Sequence, residues 1–518
     1  MKYALTVNEI KAIDINAQYL GITKLQLMEN AGAEIARKIK EKVNIKGKKV
    51  LIIAGRGDKG GDGFVAARHL SRDEVKTTVI LIGDSRNIRS IEARKNWKIL
   101  ENMESSVELI VFKDKFQEDL LEEKIIESDI IVDAILGTGI KGSLKPPIST
   151  IIEKINQARL KGKYIVSIDI PTGLDPNTGE ILGEAVMANL TITHHKLKRG
   201  LTVGEANKYA GEITVSNIGI PLEAELFAGP GDVLIVEKKR KPISHKGEYG
   251  RIIVVGGSVE YTGAPALTAL AALKTGADVV KIMTPDRVAD IIRSYTPNLI
   301  VSGYSGNYLN LKAIEQILSE AEKSDTIVIG PGLGLNERTV EASIRLIERL
   351  KHMEKNLVID ADALKACKRK TEILRGDRIM ITPHQGEFKT ITGIELPSEE
   401  NGGWINRMKI VKEEALKLEV TILLKSHYDI ISDGRRIKVN RTGNPGMTVG
   451  GTGDVLAGIA ATIFTWCKDS FKAAAAAAFI NGLAGDLAVK EKGYHITATD
   501  VLDKIPDAFK EIEKYIEI

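Results

Sequence analysis

A chain of 518 residues carrying 73 Lys and Arg against 69 Asp and Glu has a formal net charge of +4, too near balance to imply a nucleic-acid or anionic-membrane partner. At 43% hydrophobic and 27% charged residues it is too apolar for disorder. Its length predicts two to three domains at roughly 150 residues each, and its two cysteines, Cys367 and Cys467, exclude a disulfide framework and a cysteine zinc site.

Met1 to Thr6 lack the apolar core of a secretory signal, and no apolar run is read as approaching the ~18 residues of a membrane span; a soluble cytoplasmic protein is expected. Thr6-Val7-Asn8-Glu9 forms a capping box, followed at helical spacing by Ile10, Ile13, Ala17 and Leu20 until Gly21 ends the helix. Apolar strands are predicted at Val50–Ala54, Thr78–Ile82, Ile130–Ala134, Ile165–Ile168 and Leu190–Thr193, separated by amphipathic stretches such as Ala31–Lys42 and Ile148–Leu160. Short, continuous apolar strands between helices predict a parallel sheet covered on both faces.

This first unit is read as 1–220. Pro221, Gly229-Pro230-Gly231 and the basic run Lys238-Lys239-Arg240-Lys241 read as a linker over 221–240. A second α/β unit over 241–518 restarts with strand-like Gly250–Ser258. It continues through Val279–Met283, Thr326–Ile329, Leu357–Asp360, Ile379–Thr382 and Thr421–Leu424. The fold class is α/β, two doubly wound three-layer domains in series. The run Ala473 to Ala478 reads as a close-packed helix face.

Gly55-Arg56-Gly57-Asp58-Lys59-Gly60 follows a strand and formally satisfies G-x-G-x-x-G. Gly61-Asp62-Gly63 then adds a second carboxylate where a pyrophosphate would rest, and that repulsion argues against a dehydrogenase. Asp133–Gly139, Asp169–Asp175 and Lys198-Arg199-Gly200 each lie at or beyond the end of a strand, where open α/β sheets bind ligands.

Near the other end, Gly443-Asn444-Pro445-Gly446-Met447-Thr448-Val449-Gly450-Gly451-Thr452-Gly453-Asp454 precedes the apolar run Val455–Phe464. Glycines before a helix expose amides at its positive end, an anion hole, and Asp454 sits at its lip. The pattern suits phosphoryl transfer to an alcohol with Asp454 as base; the plainer alternative is a glycine turn capping a helix.

The segments Leu27-Met28-Glu29-Asn30-Ala31-Gly32, Gly55 to Gly63 with Val65–Leu70, Asp133-Ala134-x-x-Gly137-Thr138-Gly139 and Asp169-x-Pro171-Thr172-Gly173-Leu174-Asp175 resemble the NAD(P)H-hydrate epimerase domain. That resemblance implies a Rossmann-like fold and interconversion of the R and S hydrates formed when water adds at C6 of the reduced nicotinamide. Substrate contacts would fall on Asp58, Lys59, Gly60, Gly61 and Asp62, on Gly137, Thr138, Gly139, Ile140, Lys141, Gly142 and Ser143, and on Asp169, with Asp169 and Lys198 handling protons. The family usually has Asn-Asn where this chain has Asp58-Lys59, the second Asn helping an Asp and a Ser or Thr to bind potassium. Asp133 and Thr172 match those partners, but a lysine is no ligand to a cation, so the Lys59 ammonium is expected to replace the ion.

The second unit resembles the ribokinase-like NAD(P)H-hydrate dehydratases. The likeness runs through His245-Lys246-Gly247, Gly250–Ser258, Tyr261–Pro265, Gly330–Gly334, Asp360–Leu364, Thr382–Glu387, Leu424-Lys425-Ser426 and Gly443–Asp454. It implies that the hydrated ring contacts Ala264, Gly334, His384 and Asp454. Lys425, Ser426, His427, Tyr428, Asp429 and Gly453 would hold a nucleotide, with ADP expected and ATP left open, and Glu387 could order Mg²⁺ through water. His194, His195 and His427 are left open between ligand and loop roles. A homo-oligomer is expected. The runner-up is a small-alcohol kinase of the ribokinase class with an appended binding module, and a third reading makes the first unit a non-catalytic scaffold.

Overall fold

A computed structural model describes residues 4–516 apart from 73, 114–115 and 140–141. The chain divides into two compact units, Met1–Pro221 and Leu222–Ile518. In the first, β1 (Lys49–Ala54), β2 (Lys76–Ile82), β3 (Val107–Phe112), β4 (Ile130–Ala134), β5 (Tyr164–Ile168), β6 (Leu190–His194) and β7 (Glu212–Ser216) form one parallel sheet in the order β3-β2-β1-β4-β5-β6-β7. The chain direction across the sheet reverses between β1 and β4. Loops leaving their carboxyl ends therefore part there and open a crevice.

The period-two alternation of a strand divides its apolar residues between the two faces. Ile52 and Ala54 pack with Ile35, Ile39, Phe64 and Trp97 on one side. Leu51 and Ile53 pack with Ile125, Ile151 and Ile155 on the other. Burial on both faces is why β1 reads as an apolar run from Val50 and β4 as one broken only by Asp133. The capping box forms as predicted, Thr6 and Glu9 closing reciprocally on the helix Val7–Tyr19.

The second unit has a nine-stranded sheet: β8 (Arg251–Val255), β9 (Val279–Pro285), β10 (Ile300–Tyr304), β11 (Thr326–Ile329), β12 (Asn356–Ile359), β13 (Ile379–Ile381), β14 (Thr421–Leu424), β15 (Asp429–Ser432) and β16 (Ile437–Asn440). Its order is β10-β9-β8-β11-β12-β13-β14-β15-β16, antiparallel only from β14 onward, and it reverses between β8 and β11. Helices Gly263–Thr275, Thr452–Cys467 and Ser470–Lys492 cover one face. Ala473 to Ala478 are all buried there, the small side chains allowing close helix approach. Ser470–Lys492 is long and apolar enough to cross a membrane by length and composition, contrary to the sequence reading, but most of it lies inside this core.

The segment 221–240 is not a linker. Leu222–Leu226 and Pro230–Leu234 are helical, and Ala228, Val233 and Val236 enter the core of the second unit. The Ala228 amide donates to the Val439 carbonyl at 2.9 Å, and Lys438 Nζ reaches Asp232 at 2.9 Å. Pro230 and the flanking glycines resembled a boundary because proline at the first helical position and a turn use the same residues.

Candidate active sites

In the first unit the chain leaves β1 through Gly55 and enters the helix Asp58–Leu70. A Cβ on Gly55 would lie 2.0 Å from the Ile135 carbonyl oxygen, and one on Gly60 2.0 Å from that of Gly55. Close backbone approach therefore demands these glycines, whereas Gly57 faces open space. Lys59, on the first turn, points inward and is buried. Its Nζ lies 3.0 Å from Asp133 Oδ2, 2.8 Å from the Ile170 carbonyl, 3.2 Å from that of Leu136 and 3.1 Å from Thr172 Oγ1. Four oxygens around one nitrogen suit an ammonium. Burial pushes the Lys59 pKa down, and the Asp133 carboxylate opposes that. Asp133 is fully buried and also accepts from Ser167 Oγ at 2.9 Å, the Thr172 amide at 2.8 Å and Thr172 Oγ1 at 2.6 Å. Asp133 and Thr172, read as potassium ligands, thus surround a side-chain cation: the site does not fit a potassium ion, because a second positive charge would have to share the same oxygens.

Asp169 follows β5 with a left-handed backbone, φ +62°, a conformation that costs a non-glycine residue ~1 kcal/mol or more and gathers at functional sites. Its carboxylate receives the Lys198 ammonium and the His194 amide, the latter at 3.1 Å. Burial alone would raise the Asp169 pKa; Lys198 and His194 overcome it and hold it at about 2. Asp62 faces His194 Nε2 at 3.6 Å, and burial pushes its carboxyl up. Gly61 is buried, and Gly137 packs over Lys59. Asp58, Gly139, Gly142 and Ser143 lie exposed, Thr138 is half-buried, and Ile140 and Lys141 fall outside the described residues. Sequence reasoning missed one member of this group, Asp14. Its spacing from Ile10 and Ala17, i+4 and i−3, puts an acid on the apolar stripe of the first helix, and that was the available signal.

In the second unit the residues after β12 and β14, Asp360 and Lys425, meet the start of the helix Thr452–Cys467. Gly451 caps that helix at φ +97° with no side-chain cap, and among the described residues no acceptor meets the amides of Gly450 to Asp454. Lys425 Nζ lies 2.8 Å from Asp360 Oδ1 and 3.3 Å from where a Cβ on Gly453 would stand, so the ammonium lies over the amides. Asp454 is half-buried. Burial first, then the like charge of Asp360, raise its pKa to about 7 despite Lys425.

Gly334 donates its amide to Asp362 Oδ2 at 2.9 Å. A Cβ on the neighbouring Gly332 would stand 3.4 Å from that of Ala264, which brings the Ala264 and Gly334 segments to one wall. His384 is the N-cap of the helix Gln385–Thr392: Nδ1 accepts the amides of Gly386 at 3.0 Å and Glu387 at 3.3 Å. That bonding leaves the proton on Nε2, whose ring edge is exposed beside Glu387.

The Ser426 amide donates to Asp429 Oδ1 at 3.0 Å, and the Ser426 hydroxyl is tied to Glu399, Arg407 and Gln385. Burial pushes Asp429 up to about 6. Ser426 and Asp429 are therefore occupied in shaping the loop, whereas His427 is exposed and Tyr428 stacks on Trp404 at 5.2 Å. Trp404 and Arg407 had no motif to mark them. Among the described residues no group of three His, Cys, Asp or Glu side chains could hold a metal by itself.

Comparison with known proteins gives this geometry its chemistry. A family model described as NAD(P)H-hydrate dehydratase matches residues 252–507, and one described as YjeF-related protein N-terminus matches residues 24–200. A protein of Pyrobaculum aerophilum named bifunctional NAD(P)H-hydrate repair enzyme Nnr is 44% identical over 507 residues, 97% of each chain. One of the same name from Methanothermobacter thermautotrophicus is 43% identical over 96% of this chain and 94% of its own. Among solved structures, an ADP/ATP-dependent NAD(P)H-hydrate dehydratase from Bacillus subtilis, co-crystallized with ATP/Mg²⁺, aligns at 26% identity and a TM-score of 0.46 over 55% of this chain and 98% of that one. Two sheet-edge sites, two matched family models in series and relatives of the same length and order place the chain in the family of bifunctional NAD(P)H-hydrate repair enzymes.

Proposed function

We propose that the first unit exchanges the R and S hydrates of NADH and NADPH, and that the second dehydrates the S form, coupled to ADP. The observation that carries the second half is Asp454, a carboxyl tuned to about 7 at the lip of unsatisfied amides. Asp454 takes the proton of the C6 hydroxyl as that oxygen bonds to the terminal phosphorus and the bond to the leaving nucleotide breaks. The Gly450 to Gly453 amides and Lys425 meet the charge on the phosphoryl oxygens. The phosphorylated oxygen then leaves with its electron pair, a C5 proton is lost, and the C5=C6 double bond of the dihydropyridine returns. Mg²⁺ would arrive with the nucleotide, with Glu387 able to order it through water, and supplies neutralisation of phosphate charge. Ala264, Gly334 and His384 wall the ring; Lys425, His427, Tyr428 and Gly453 take the nucleotide on a loop whose shape Ser426 and Asp429 fix.

In the first unit Asp169, kept ionised by Lys198, receives a proton at the hydrated ring, and the Asp58 to Asp62 and Gly137 to Ser143 loops hold the substrate. Lys59 serves as a built-in cation, so exchange needs no added potassium.

Incubating the protein with NADH hydrate of mixed stereochemistry tests the whole reading. With ADP and Mg²⁺, the absorbance of the dihydronicotinamide is expected to recover fully and free phosphate to appear. Recovery that stops at the S fraction defeats the epimerase half, and accumulation of a stable phosphate ester defeats the dehydratase half.

A further inference from the structure

The helix Val7–Tyr19 is fastened directly to the first site. The Leu5 amide donates to the Leu197 carbonyl at 2.9 Å and the Arg199 amide to the Leu5 carbonyl at 2.8 Å, so this strand-like contact brackets Lys198. The Val7 amide donates to Asn177 Oδ1 at 2.9 Å, which ties the helix start to the turn after Asp175. Ala12, Ile13, Ile15, Asn16 and Ala17 are buried, and Asp14 is half-buried. The charged groups that face Asp14 are Lys198, Asp169 and His194, from the β5 and β6 ends, and Asp62 from the helix Asp58–Leu70.

Every other carboxylate in this cluster has a cationic or imidazole partner: Asp133 has Lys59, Asp169 has Lys198 and Asp62 has His194. Among the described residues none donates a hydrogen bond to the Asp14 carboxyl. His194 Nε2 is buried and lies 3.6 Å from Asp62 Oδ2, just beyond hydrogen-bond reach, so the same wall is only loosely satisfied by protein groups.

Burial, and then the like charges of Asp169 and Asp62, push the Asp14 pKa up to about 7 against Lys198 and His194. Asp169, whose charge Asp14 feels, is held at about 2. Two carboxyls driven apart in this way divide the work into acid and base.

Resting on the epimerase reading of this site, we infer that Asp14 is the proton donor of hydrate exchange, acting with Asp169 as acceptor. The hydrate carries its hydroxyl on C6, bonded to N1. Asp14 gives its proton to that hydroxyl, the C6–O bond breaks with its electron pair on oxygen, and water departs. The N1 lone pair forms N1=C6. Water then adds to C6 from the other face, the π pair returns to N1, and the proton of the added water passes to Asp169. One water leaves and one enters, and one proton moves from Asp14 to Asp169. Asp169 then releases it to solvent and Asp14 takes one back.

The test measures exchange between separated R and S hydrates in wild type, Asp14→Asn and Asp169→Asn from pH 5 to 9, together with ADP-dependent dehydration of the S hydrate. Asp14→Asn is expected to lower kcat for exchange about 10²-fold or more with little change in KM, leaving dehydration untouched. Wild-type kcat should fall with rising pH above about 7, as Asp14 loses its proton, and this limb needs no variant to be read. Wild-type exchange in Asp14→Asn with Asp169→Asn inactive, or a flat wild-type profile through pH 7, overturns the role of Asp14 and spares the site. Full exchange in both variants overturns the roles of Asp14 and Asp169, and exchange by wild type no faster than without protein overturns the epimerase reading itself.

Discussion

Asp454→Asn is expected to abolish recovery of reduced nicotinamide from the S hydrate, lowering kcat by about 10²–10⁴-fold as the loss of a general base does. The amide takes the same space and keeps the helix start intact, so nucleotide affinity should change little. Wild-type kcat/KM should rise with pH to a plateau above about 7, because only the ionised carboxylate accepts the hydroxyl proton. The same shift fixes the sign of the stability effect. The ordinary Asp value is 3.8 and the folded value about 7, so between them the native state binds a proton that the unfolded chain does not. Stability therefore falls with rising pH across that window and stays reduced above it. The Asn variant escapes this loss and should melt higher than wild type at pH 8, with the difference shrinking toward pH 4. An inactive variant that also melts lower at pH 8 would mean that folding, and not chemistry, had been damaged.

The sequence made interior strands visible for a physical reason. β1, β4, β11 and β12 are covered on both faces, so nearly every residue must be apolar. The edge strands β3, β7 and β10 were missed: Glu108, Thr214 and Ser302 interrupt their runs because one flank is open and their faces are only half-covered. β15 and β16, an antiparallel addition outside the alternating pattern, were missed as well. The site motifs were legible because a doubly wound sheet delivers the carboxyl ends of its central strands to one edge, whatever lies between them in sequence. Asp14 was not, since it reaches that edge on a helix from outside the strand–loop rhythm. Neither was the capping role of His384, which depends on ring orientation and not on spacing. The segment 221–240 failed as a linker because composition cannot tell a turn that ends a domain from one that starts a short helix.

Lys59→Met is expected to destabilise the first unit by about 3–5 kcal/mol, the usual consequence of leaving a buried charge without its partner. That corresponds to a fall in melting temperature on the order of 10 °C for a unit of this size. The argument turns on Asp133, which is fully buried and whose remaining contacts are the hydroxyls and amides of Ser167, Thr172 and Ile135. Those donors cannot neutralise it. Lys59→Asn separates the charge from the packing, because it vacates the nitrogen's position among the Asp133, Leu136, Ile170 and Thr172 oxygens while offering one oxygen of its own. In choline or lithium buffer this variant should lose both exchange activity and thermal stability, and potassium should restore both by entering the space the ammonium held. Wild type should show neither response. Melting temperature supplies the reading that does not depend on turnover. Stimulation of wild-type exchange by potassium, or a Lys59→Asn protein whose melting temperature ignores potassium, would show that the lysine does not stand in for the ion, and that Asp133 is neutralised some other way.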